Sequence, residues 1–111
     1  MQIELILYSD EINRQYTELG LEVAFLHEMY HVYYNLVNGY NDDSELVNDL
    51  AHDEMLEVGG EYERWLLMAF PDRADEIHLL KYAGVSSSNY YYNNLPQCVI
   101  DYLQEYVEIV K

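Results

Sequence analysis

Five consecutive residues, His27-Glu28-Met29-Tyr30-His31, form an instance of H-E-x-x-H. On a helix, residues four apart share a face, so His27 and His31 can reach one metal ion. Glu28 follows the first histidine and can face a metal-bound water. Two imidazole ligands, a third protein ligand from elsewhere and a carboxylate base are the parts of a zinc-dependent hydrolase. The competing reading is a surface helix with two histidines on one stripe. Against it, the chain has four histidines in all and two fall within these five residues.

A helix must present the pair. Leu19, Val23, Leu26, Tyr30 and Tyr34 recur at spacings of three and four, which predicts a helix from about Glu18 to Val37 with one buried face. Thr17 suits its N-cap and Glu18 its first turn, while Gly20 weakens it early on. Asn38-Gly39 marks its end. Before it, residues 2–8 alternate, with Ile3, Leu5 and Leu7 on one side, and read as a strand. After it, Ser44 can cap a short turn through Leu50. A second long helix is expected from about Ala51 to Phe70, closed by Pro71, with Leu56, Trp65, Leu66 and Ala69 as core contacts. Gly59-Gly60 inside it implies either a break or the close approach of another backbone, with a slight preference for the approach. A third helix is expected from Asp72 to Tyr82, ended by Gly84. A polar, aromatic loop containing Tyr90, Tyr91 and Tyr92 follows. The last helix begins at Asn94 and Pro96 and runs to about Val110. Its apolar face is Val99, Ile100, Leu103, Tyr106, Val107 and Val110.

Two histidines do not complete a catalytic zinc site. A third protein ligand is needed, with one position left for water. The candidates are His52, Asp53, Glu54, Glu57 and Glu61. His52 opens the expected second long helix, a natural place from which to present an imidazole beside the motif. Glu57 and Glu61 share a helix face and would make a two-His-one-Glu set. Asp53 or Glu54 could instead orient a ligand imidazole through its other nitrogen. His78 lies among Ile77, Leu79 and Leu80 and reads as a packed or partly exposed side chain. One of Tyr90, Tyr91 and Tyr92 could stabilise an oxyanion, although rings packed over the helices are the preferred reading.

The order HEMYH, a loop, then His52-Asp53-Glu54-Met55 opening a helix resembles the SprT/Spartan-like group of zincins. It is also similar to small bacterial zincin-like proteins in which an H-x-x-M segment plays the same part. The resemblance covers roughly residues 20–92. It implies an α+β, zincin-like fold, mostly helical with a short N-terminal strand region. It also implies one Zn2+ held by His27, His31 and His52, with Glu28 as general base; the residues themselves leave Glu57 as the alternative third ligand. Where that group has His-Gly, this chain has His52-Asp53. It also lacks a basic DNA-binding region, so action on DNA–protein crosslinks is not implied.

The length of 111 residues fits a single domain spanning residues 1–111. Five basic against 21 acidic residues give 5 − 21 = −16. Such a field repels nucleic acid and anionic membranes and favours peptide or protein substrates of basic character. Over most of the surface it serves solubility. Cys98 is the single cysteine, so a disulfide within the chain and a Cys-rich zinc site are excluded. Its apolar neighbours suggest a buried thiol. The first residues lack a basic region and a small-residue cleavage site, and no apolar run reaches membrane-spanning length. A soluble, cytoplasmic protein of undetermined oligomeric state is therefore expected. The expected function is zinc-dependent peptide-bond hydrolysis by a metal-activated water. The rival is a non-catalytic protein-binding module of zincin-derived fold, its metal structural or absent. Retention of Glu28 favours the enzyme.

Overall fold

The computed structural model describes residues 14–41, 44–85 and 94–110. Strand β1 (Arg14–Tyr16) leads through Thr17 into helix α1 (Glu18–Asn38). Helices α2 (Glu45–Met55) and α3 (Glu61–Ala69) follow. A 3-10 stretch (Pro71–Glu76) then runs into the short helix α4 (Ile77–Leu80). Helix α5 (Gln97–Tyr102) widens into a π-helical stretch (Leu103–Val107) and ends in strand β2 (Glu108–Val110). The two strands pair antiparallel, with Gln15 opposite Ile109.

The described chain is mostly helical, and this does not fit the expected α+β, zincin-like fold with an N-terminal strand region. The expected strand over residues 2–8 lies outside the described residues. The pairing that is described is three residues long on each side. A ribbon that short contributes little by itself and cannot form the wall of a cleft. The core is helix on helix instead. Val23, Tyr30, Ala51, Met55, Tyr62, Leu66, Leu80, Val85 and Val107 are all fully buried. Each large apolar side chain buried in this way contributes about 1.5–3 kcal/mol. The spacing of three and four read in the first helix is what makes such packing possible. Val23, Tyr30 and Tyr34 are buried there, and Leu19 and Leu26 pack against the same core.

Helix boundaries moved where side chains offered the backbone an alternative. Ser44 does cap a helix, its hydroxyl accepting from the Val47 N–H at 3.3 Å, but that helix continues to Met55. The break falls at Leu56–Gly60. Gly59 adopts a φ of 71° there, and its N–H donates to the Glu63 carboxylate at 2.8 Å. A Cβ on Gly59 would meet nothing within 4 Å, and one on Gly60 would meet only Glu57 and Glu54 of the adjoining turn, so Gly59 marks a left-handed turn and no separate segment approaches the pair.

The close approach is at Gly20. A Cβ there would come within 2.1 Å of the Val107 carbonyl oxygen. Thr17 explains why the two segments meet. Its hydroxyl accepts from the Gly20 N–H at 3.1 Å and donates to the Tyr106 carbonyl at 2.7 Å, while its N–H donates to the Val107 carbonyl at 3.1 Å. One residue thus caps the start of α1 and satisfies carbonyls at the end of the π-helical stretch. The last helix consequently stops before Val110. Tyr102 is buried in place of Tyr106, which is exposed, and Cys98 is exposed rather than buried.

Candidate metal centre

Helix α1 carries His27 and His31 one turn apart, and His27 is buried. Helix α2 brings His52. This residue lies in the last turn of its helix rather than at a helix start, because α2 begins earlier than its periodicity suggested. Tyr30 locks the two helices together. Fully buried on α1, it donates its hydroxyl proton to the Glu54 carboxylate on α2 at 2.5 Å. Glu54 therefore clamps the helices and does not orient an imidazole.

The three Nε2 atoms converge. His31 to His27 is 3.1 Å, His31 to His52 is 3.0 Å, and His52 to His27 is 3.2 Å. Each neutral Nε2 is either a donor or an acceptor. A triangle of three must therefore contain at least one donor–donor or acceptor–acceptor edge, whatever the tautomers. Three hydrogen bonds cannot satisfy it, but one cation facing three lone pairs can. A tetrahedral ion with metal–nitrogen bonds of about 2.0–2.1 Å sets its ligands roughly 3.3 Å apart, close to the spacings here. His27, His31 and His52 thus lie close enough to hold one metal ion.

Electrostatics agree with the geometry. Burial, reinforced by the neighbouring His31 and His52, holds the His27 imidazole well below the ordinary histidine range. Burial also lowers His52 to about 4, with the Asp53 carboxylate working in the opposite direction. Both rings are therefore neutral near pH 7, the form that a metal ligand requires.

The site has a floor that sequence reasoning missed. Gly84 lies against the His27 ring, where a Cβ would come within 2.7 Å of Nδ1 and 3.0 Å of Cγ. It also has a φ of 84°. In the sequence it reads as a helix stop, with no sign that it packs on an imidazole. The turn carrying it is tied down by Lys81, which is buried and contacts the Glu63 carboxylate at 2.6 Å. On the other side stands Tyr62, edge-on to His27 with ring centroids 6.5 Å apart. Its four-residue spacing from Leu66 would have revealed its buried position, whereas Ala69, expected in the core, is exposed.

Glu28, half-buried on α1, follows His27 by one residue and is turned about 100° from it around the helix. Glu57 is exposed in the turn after α2, and Asp53 is exposed on α2. Among the described residues the structure brings neither of them, nor Glu61, into the histidine cluster. His78 is exposed. Tyr90, Tyr91 and Tyr92 lie outside the described residues. No described helix is long and apolar enough to cross a membrane. No protein-family model matches the chain, and neither does any curated protein or solved structure.

Proposed function

We propose that this chain hydrolyses peptide bonds with the help of one Zn2+ held by His27, His31 and His52. The observation that carries this reading is the convergence of three Nε2 atoms within 3.0–3.2 Å, with a glutamate one residue from the first of them. Three imidazoles, with no thiolate or fourth protein ligand among the described residues, match a catalytic set, which keeps a coordination position open. When bound, zinc would lower the pKa of a water toward ~7. Glu28 then takes a proton from that water as it attacks the carbonyl, and returns it to the leaving amine. The charge of −16 favours peptides or proteins of basic character.

One observation supports a second reading. Among the described residues no sheet lines a substrate cleft, since each strand has three residues. A protein-binding module with a structural metal would not need such a cleft. The two readings separate in one experiment. Protein purified without chelator should contain about one zinc per chain by elemental analysis. Glu28→Gln keeps shape and removes basicity. It should retain the zinc and lose ~10²–10⁴-fold in hydrolysis of a broad peptide library that includes basic sequences. A wild-type protein that holds zinc yet cleaves nothing supports the binding module. Absence of any transition metal removes the site itself.

A further inference from the structure

Tyr62 holds a group that the chemistry above leaves unused. It lies in the first turn of α3 and is fully buried. Its ring stands edge-on to the His27 imidazole, at an interplanar angle of 86°. Its hydroxyl oxygen is also buried, and among the described residues no atom hydrogen-bonds to it. Two other buried tyrosines behave differently. Tyr30, whose ring centroid is 5.1 Å from that of Tyr62, donates to Glu54, and Tyr102 donates to Glu76 at 2.8 Å.

A buried hydroxyl left without a partner is costly, because it has given up its hydrogen bonds to water for nothing in return. Phenylalanine would fill nearly the same space without that cost. A lone buried hydroxyl beside a cluster of converging imidazole nitrogens therefore points to a partner that the described residues do not provide. The surroundings narrow the choice of partner. Burial and the nearby Glu28 carboxylate both push the Tyr62 hydroxyl up, so it keeps its proton and is available to donate. His27 and Glu28 are also the two residues that would flank an oxygen held at the site.

We propose that Tyr62 is a positioning residue whose hydroxyl donates a hydrogen bond to the oxygen held at the three-histidine site, the water that Glu28 would deprotonate. This assignment rests on the metal reading above. A donor aimed at that oxygen stabilises hydroxide more than water, and so lowers the pH at which the water ionises.

The test needs no substrate. Co2+ serves as the probe, because its visible absorption changes when a bound water ionises. Wild type and Tyr62→Phe are loaded with Co2+ and titrated with base. The midpoint in Tyr62→Phe should lie about one pH unit higher, a tenfold fall in the acid constant. Metal-free Tyr62→Phe should melt no lower than metal-free wild type, since it loses no hydrogen bond within the protein. An unchanged midpoint overturns the assignment of Tyr62 and leaves the metal site standing. A lower melting temperature of the metal-free variant also overturns it, because the hydroxyl then has a protein partner. A wild-type protein that takes up no Co2+ overturns the metal site, and this assignment with it.

Discussion

The imidazole of His52 is kept neutral by burial, and that has a consequence for folding as well as for metal binding. Its folded value is about 4, against 6.5 for an ordinary histidine. Between those values the unfolded chain binds a proton that the folded chain refuses. Stability is therefore complete above about pH 6.5, falls as the pH drops toward about 4, and levels below that. His27, lowered for the same reason, adds to the loss in the same direction. Many carboxylates titrate nearby, so the effect is read as a difference. In metal-free protein, the urea midpoint of wild type should fall more steeply between pH 6.5 and 4 than that of His52→Asn. Equal slopes would show that the buried His52 ring is not what couples folding to acid.

Two elements hold the site in place, and each depends on a glycine for a different reason. At Gly20 the limit is space, because a methyl group would strike the backbone carbonyl of Val107. Alanine ordinarily favours a helix by about 1 kcal/mol over glycine. Here Gly20→Ala should destabilise by roughly 1–3 kcal/mol in chemical denaturation, as overpacking does. At Gly84 the limits are both a φ of 84° and the His27 ring. Gly59 has a similar φ of 71° with open space around it. Gly59→Ala should therefore cost stability alone, about 1–2 kcal/mol, while Gly84→Ala should also weaken zinc binding in a competition titration. Equal zinc affinity in the two variants would mean that the Gly84 turn does not set the His27 ring.

The same turn is anchored by the contact between Lys81 and Glu63. Lys81 is 3% exposed, so its ammonium has been taken out of water. Glu63 faces it at 2.6 Å and also accepts the Gly59 N–H, which joins the α2–α3 turn to the floor of the site. Glu63→Gln should cost on the order of 3 kcal/mol, because it leaves a buried charge without its counter-charge. Adding Lys81→Met should restore most of that loss. A double-mutant cycle in urea measures both, and simple additivity would show that the two groups do not depend on each other.

For the molecule as a whole, charge works against compactness. A net charge of −16 on 111 residues means that folding concentrates like charges. Salt screens such repulsion, the Debye length shrinking from ~30 Å at 0.01 M to ~3 Å at 1 M. The melting temperature of metal-free protein at pH 7 should therefore rise with sodium chloride over that range. No change would indicate that the carboxylates are already spaced or paired well enough to relieve one another. Architecture at this scale also limits the resemblance to zincins. The motif helix, the loop and the third histidine are present, but the described chain packs helix on helix. The likeness is one of histidine spacing, not of fold.

The histidine pair of the site was legible in the sequence because four-residue spacing on a helix leaves two histidines only one common face. The same periodicity identified the buried side of α1, where Val23, Tyr30 and Tyr34 lie. Sequence favoured His52 and kept Glu57 as the alternative, since spacing along the chain does not say which side chain crosses to a neighbouring helix. Tertiary packing brings His52 to the pair and leaves Glu57 exposed, through the Tyr30–Glu54 clamp that sets α2 against α1. Glycines were the least legible residues. Gly20, Gly59 and Gly84 look alike as letters, yet one admits a carbonyl, one turns the chain in open space and one makes room for an imidazole. A residue without a side chain is defined by what lies against it, and only the folded chain contains that information.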